Sequence, residues 1–219
     1  MQGQELTNIV LPDAGLKRNT MSEKTPTPAR LEAFSDGVIA VIITVMVLEI
    51  KVPHAEGFEG LRTLTPGLSV YLMSFGFTGI YWLNHQHIIR RTERADHSLQ
   101  IANLGFLFCL SLLPLSTAYV VEKQLSGFAV SFYATSLLIV ALSFMWVRLA
   151  LHGILSGRDE VTDEDRRGLR NHVVSICLYF SSAVLAPFFP KLILCFIALL
   201  TFIWTLPNLS LTQVRQQRR

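Results

Sequence analysis

Charge is scarce in this sequence, and so is cysteine. Only 16% of its 219 residues are charged, where a soluble globular chain carries about 25%. Together with 51% hydrophobic residues and a mean hydropathy of +0.42, that shortage excludes an ordinary soluble domain and points to an integral membrane protein. The three cysteines, Cys109, Cys177 and Cys195, all lie inside apolar runs and show no CxxC spacing. Cysteines in that number and setting argue against a disulfide framework or a zinc site and read as small apolar side chains. A net charge of +3 is too small for a nucleic-acid surface, so no nucleic-acid partner is expected. Enzyme signatures are missing as well: there is no GxSxG, no HExxH, no P-loop and no Gly-rich dinucleotide turn. No catalytic residue and no cofactor is expected on those grounds.

What the sequence does have is six apolar segments, at roughly 31–50, 66–89, 99–121, 127–151, 169–188 and 191–208. Each is near the ~20 residues that cross a hydrocarbon core about 30 Å thick. The last two are separated only by the PFFP stretch Pro187–Pro190, which makes them a tight hairpin because two prolines would break a continuous helix. The expected fold is therefore an all-α integral membrane protein with six transmembrane helices. Residues 1–29 read as a disordered cytoplasmic tail, 30–209 as the transmembrane domain, and 210–219 as a basic tail.

Basic residues set the expected orientation. With an even number of spans both termini share a side, and 15 of the 19 lysines and arginines fall there. They include Arg90, Arg91 and Arg94 in the second-to-third loop, and Arg158, Arg166, Arg167 and Arg170 around the fourth-to-fifth loop. The other side has only Lys51, Arg62, Lys123 and Lys191. The positive-inside rule places both termini in the cytoplasm. The mixed-charge loop 156–167, SGRDEVTDEDRR, reads as a solvated loop on that side or as a partner surface.

The first apolar segment, RLEAFSDGVIAVIITVMVLEIKVP over Arg30–Pro53, carries the chemistry. Every residue from Gly37 to Leu48 except Thr44 is apolar, yet Ser35 and Asp36 precede that run inside the same helix. An ionisable group at membrane depth costs about 2.5–3.5 kcal/mol on insertion scales and ordinarily has a partner and a role. Val41, Thr44, Val45 and Leu48, spaced i, i+3, i+4 and i+7, form one stripe, and Phe34 and Gly37 continue it. Ala33 and Gly37 form a small-xxx-small pair that lets another backbone approach closely. Asp36, about 140° round from Val41, is expected to face the bundle interior. The stripe is either membrane-facing packing or, with copies from several subunits, the lining of a pore. In the second case Thr44 is the polar group open to a passing ion.

The second segment ends YWLNHQHIIRR. Asn84, His85 and His87 stand near its cytoplasmic end, but the two rings of H-x-H lie about 200° apart on a helix, which is poor for a metal. A hydrogen bond from His85 or Asn84 to Asp36 or Arg30 is the better expectation, since all four lie near one depth. In the third segment Asn103 is a second buried polar candidate, and Pro114 should kink the helix. Glu49 closes the first segment at the far interface, where its charge either concentrates cations at a pore mouth or is simply solvated.

These stretches strongly resemble the first helix of the transmembrane protein 175 family of potassium channels, whose hallmark is R-x-x-x-F-S-D-G, here Arg30, Phe34, Ser35, Asp36 and Gly37. The likeness extends through YWLNHQH and NLGFLFCLSLLPLST, and so covers about residues 30–120 closely. The resemblance implies a cation channel without a TVGYG filter, assembled as a homotetramer with four copies of the first helix around the axis. It further implies a narrow part lined at Val41, Val45 and Leu48, with the Thr44 hydroxyl alongside. It also implies a polar cluster of Arg30, Asp36 and His85 with Trp82 and Asn84 nearby. The functional expectation is a potassium-permeable channel of a prokaryotic inner membrane, with potassium ions and lipid as partners and no bound metal beyond K⁺ in transit. The alternatives are a proton-permeable or weakly selective cation leak, or a membrane-embedded enzyme using Asp36 and His85. A secondary transporter is weakened by the absence of visible internal repeats.

Overall fold

The computed structural model describes residues 27–216 other than Arg94, with side chains described as far as Trp204. Seven helical segments follow in order: α1 Pro28–Leu48, α2 Gly57–Ile89, α3 His97–Ser111, α4 Leu113–Glu122, α5 Gly127–Ser156, α6 Asp163–Leu185 and α7 Pro190–Gln216. The α3 and α4 segments are two halves of one rod, broken beside Pro114 as expected, so the chain folds as six rods. Among the described residues there is no strand.

Local chemistry explains the boundaries. Pro28 opens α1, where its missing N–H is no loss. Asp96 caps α3 by accepting the Leu99 N–H, and Ser126 caps α5 by accepting the Ala129 N–H. Thr162 and Asp165 form a reciprocal capping box on α6. Several limits differ from the hydropathy reading. The α2 helix begins nine residues before the expected start at 66 and carries Pro66 inside it, because Gly57–Thr65 makes a solvent-facing helical extension that hydropathy does not register. For the same reason α6 begins at Asp163, driven by its cap and its acidic first turn. The α7 helix continues to Gln216, through most of the stretch expected as a tail. The N-terminal tail lies outside the described residues up to 26, although Pro28 and Ala29 already belong to α1.

Three rods are long and apolar enough to cross a membrane: α1, the combined α3–α4 rod and α5, with hydropathies of 2.1, 2.0 and 2.0. The α5 helix is the central post, packed against α3, α4 and α6. An aromatic cluster fills the middle: Tyr81 meets Phe144 edge-on at 5.0 Å and Phe77 at 4.6 Å, and Phe106 lies 5.0 Å from Phe144. Next to it, Ser74 on α2 hydrogen-bonds Thr117 on α4 at 2.8 Å and Tyr133 on α5 at 2.9 Å. All three hydroxyls are buried and satisfied, which apolar surroundings require.

The α6–α7 turn sits directly on the start of α5. A Cβ at Gly127 would meet the Pro187 carbonyl oxygen at 2.6 Å, so the hairpin closes only over glycine. By contrast a Cβ at Gly153, later in α5, meets nothing within 4 Å. Gly127→Ala should therefore lower the thermal unfolding midpoint of the detergent-purified protein. Gly153→Ala should leave it unchanged or raise it by the helix propensity of alanine, about 1 kcal/mol.

Candidate functional site

The α1 helix is packed on one face only. Leu31, Ser35, Ile39, Ile42 and Met46, at helical spacing, are buried against the rest of the subunit. The opposite face is bare: Val41 is 59% exposed, Val45 36% and Leu48 80%, with Phe34 at 54% further toward the N-terminus. Thr44 and Gly37 are exposed on the same side. The expected stripe of Phe34, Gly37, Val41, Thr44, Val45 and Leu48 thus exists as a continuous uncovered surface. The Thr44 hydroxyl donates to the Val41 carbonyl at 2.9 Å. Its proton is used internally, and its oxygen keeps acceptor capacity. A Cβ at Gly37 would meet nothing within 4 Å. Among the described residues no other helix of the chain therefore uses the close approach that Gly37 permits.

The packed face is fixed by a polar chain crossing three helices. The Asn103 amide on α3 donates to Ser35 Oγ on α1 at 2.9 Å, and the Asn103 Oδ1 lies 2.7 Å from His85 Nε2 on α2. Ser35 itself donates to the Leu31 carbonyl at 2.8 Å. All three side chains are fully buried. Since Asn103 Oδ1 only accepts, His85 carries its proton on Nε2. The ring also stacks on Phe106 at 5.9 Å.

This arrangement corrects the expected partners. Ser35, not Asp36, is the polar group that α1 buries in the bundle, because it falls on the Leu31–Ile39 stripe while Asp36 falls on its flank. Asp36 is half-buried and accepts a hydrogen bond from Trp82 Nε1 at 2.8 Å. Neither His85 nor Asn84 bonds to it. Asn84 donates to the Ile80 carbonyl at 2.9 Å and accepts from Arg148 at 3.4 Å. Arg30 is exposed and has no carboxylate within ion-pair distance among the described residues. Asp36 and His85 do not form one hydrogen-bonded pair: their hydrogen bonds go separately to Trp82 and Asn103.

Other contacts around this end were not legible in the sequence. Arg90 pairs with Glu32 of α1 at 2.9 Å. Arg91 pairs with Asp165 at the start of α6 at 2.8 Å. Arg148 lies over the Phe144 ring at 5.5 Å, and a Cβ at Gly168 would come within 2.7 Å of its guanidinium. Adjacent arginines thus tie the end of α2 to two different helices. The sequence showed them only as loop charge.

Comparison with known proteins matches this geometry to a family. A family model described as endosomal/lysosomal potassium channel TMEM175 matches residues 30–114, which contain α1 from Arg30 onward and the whole polar chain. A potassium channel of Chryseobacterium sp. (strain P1-3) is 33% identical over 182 residues, covering 83% of this chain and 94% of that one. The chain belongs to the TMEM175 family. Its fold matches the crystal structure of a lysosomal potassium-selective channel TMEM175 homolog from Chamaesiphon minutus, with a TM-score of 0.72 at 28% identity. That match covers 83% of this chain and 97% of the other. The zebrafish endosomal/lysosomal proton channel TMEM175 is 33% identical over 95 residues, which is 41% of this chain and 18% of that protein. This member of the TMEM175 family is therefore a membrane protein of a family of ion channels. Among its described residues no group of three or more His, Cys, Asp or Glu side chains is arranged to hold a metal.

Two outcomes follow from the anchor. Asn103→Leu strands the buried Ser35 and His85 without their shared partner, which should destabilise the purified protein by about 1–3 kcal/mol. Asp165 titrates: burial opposes its ionisation, but the Thr162 hydroxyl and N–H and the Arg91 guanidinium together hold its carboxyl below the usual range. A depressed carboxylate contributes stability above its unfolded-state value and loses it as pH falls through its lower folded-state value. Thermal melts of the wild type should therefore show an acid loss that is diminished in Asp165→Asn.

Proposed function

We propose that this chain is one subunit of a homotetrameric, potassium-permeable channel in a prokaryotic inner membrane, with six spans and both termini in the cytoplasm. Four copies of α1 surround the axis, and the bare stripe of Val41, Thr44, Val45 and Leu48 lines the narrow part. The observation that carries this reading is the two-sidedness of α1. One face is locked to α2 and α3, and the other presents a continuous apolar stripe with a single hydroxyl oxygen. Four such stripes facing one another make a hydrophobic constriction, whose width and lining polar groups set what passes. Thr44 Oγ supplies four acceptor oxygens to a partly dehydrated cation. Ions move passively down their gradient, and potassium ions and lipid are the only partners this requires.

The far end of α1 supports the same reading. Lys51 pairs with Glu122 at 3.2 Å and not with Glu49. Glu49 is exposed and has no ion-pair partner among the described residues, so its charge remains available to raise the local cation concentration at a pore mouth. Asp36, Ser35, Asn103, His85 and Trp82 act at the other end as the anchor that sets how α1 faces the axis. In this reading none of them touches the ion. Ala33 and Gly37 supply the close contact between subunits.

Leu48→Ala together with Val45→Ala should change potassium flux from proteoliposomes several-fold and reduce the preference for potassium over sodium. Unchanged flux and selectivity would remove these residues from the pore. A proton-permeable leak in the same architecture is the second reading, prompted by the relative named as a proton channel. It predicts reversal potentials that follow the pH gradient and not the potassium gradient.

A further inference from the structure

The outer face of α6 combines features that the proposed ion pathway does not use. Its buried side is continuous through His172, Ser175, Tyr179 and Ser182, packed on α5. At 100° per residue, the diametrically opposite line begins with Arg166 and Arg170 and continues through Val173, Cys177, Phe180 and Val184. All six are exposed, Phe180 at 59% and Val184 at 53%. Among the described residues neither arginine has a carboxylate within ion-pair distance, although Asp163 and Glu164 lie within one turn of Arg166. Beneath Arg166, at the junction of α5 and α6, is a cavity of about 250 Å³ lined by Arg166, His152, Ser156, Asp159 and Val161.

We infer, resting on the six-span reading proposed above, that this face of α6 is a binding site for an anionic phospholipid with a hydroxylated headgroup. The order along the helix is that of such a lipid: a phosphate against Arg166 and Arg170, then acyl chain along Val173, Cys177, Phe180 and Val184. From Arg170 to Val184 the helix rises about 21 Å at 1.5 Å per residue, the length of an acyl chain. Guanidinium groups pair with phosphate through parallel N–H donors. The cavity beside Arg166 suits a polar headgroup better than a bare phosphate, because Asp159 is an acceptor that a headgroup hydroxyl satisfies and a second anion would oppose. Charge complementarity selects the occupant: two exposed guanidinium groups without a carboxylate partner among the described residues, followed by an exposed apolar line, match an anionic headgroup followed by an acyl chain. A basic side chain close to an anionic membrane surface strengthens association by about fivefold.

The test is native mass spectrometry of the purified full-length protein after exchange into phosphatidylglycerol or phosphatidylcholine. It reads lipid retention and is independent of ion conduction. Wild type should retain phosphatidylglycerol preferentially, and R166Q/R170Q should bind it about 25-fold more weakly, with no change for phosphatidylcholine. R62Q/K123Q, which removes the same charge at the opposite end, should retain phosphatidylglycerol as wild type does. Excess inorganic phosphate should not displace the lipid. Equal retention by R166Q/R170Q, or an equal loss in R62Q/K123Q, would overturn the site. Displacement by inorganic phosphate would reduce it to a simple anion site and overturn the lipid assignment.

Discussion

The hydrogen-bonded chain from Ser35 through Asn103 to His85 is the constraint on which the architecture of the subunit rests. It is short, fully buried and made of groups that apolar surroundings tolerate only when paired. Because Asn103 can serve a hydroxyl and an imidazole at once, α1, α2 and α3 meet in one rotational setting. Rotating α1 by one residue would put either Asp36 or Phe34 in place of Ser35, and the rotation toward Phe34 would turn the apolar stripe into the bundle. The anchor therefore determines which face of α1 is left uncovered.

That division has a cost that the rest of the subunit distributes. A helix packed on one side only leaves Val41 and Leu48 bare, and such an apolar surface in a membrane protein is covered by lipid or by another copy. In the proposed tetramer other copies cover it, and the Thr44 oxygen and the Ala33–Gly37 pair then face a neighbouring copy. The α5 helix, packed on α3, α4, α6 and α7, braces α3 and α4, which together with α2 hold α1. The hydroxyl cluster of Ser74, Thr117 and Tyr133 locks the other end of the same helices. The arginines divide in the same way: Arg90 and Arg91 are structural ties to α1 and α6, while Arg166 and Arg170 face outward.

The sequence was sufficient for the membrane class, for six helical rods of which three are long and apolar enough to cross a membrane, for the break at Pro114 and for the FSDG segment as the place of interest. These follow from quantities carried locally: hydropathy over about 20 residues, proline chemistry and helical periodicity. It was likewise sufficient for the stripe of Val41, Thr44, Val45 and Leu48, because the 3.6-residue period places those residues on one side of any α-helix. Polar helix extensions were the main loss. Gly57–Thr65 and Asp163–Gly168 are helical through capping and propensity, to which a hydropathy window does not respond.

Tertiary structure alone decided who pairs with whom. Asp36 is the conspicuous residue in the sequence because it carries charge, yet Trp82 takes it on the flank, and the neutral Ser35 enters the bundle. Periodicity gives a residue's angle on its own helix but not the angle at which the neighbouring helices arrive. Asn103 and His85 lie 18 residues apart in the chain and 2.7 Å apart in space, a meeting set by how α2 and α3 cross. For the same reason Arg91 and Arg148 were visible only as basic residues until α6 was placed beside them.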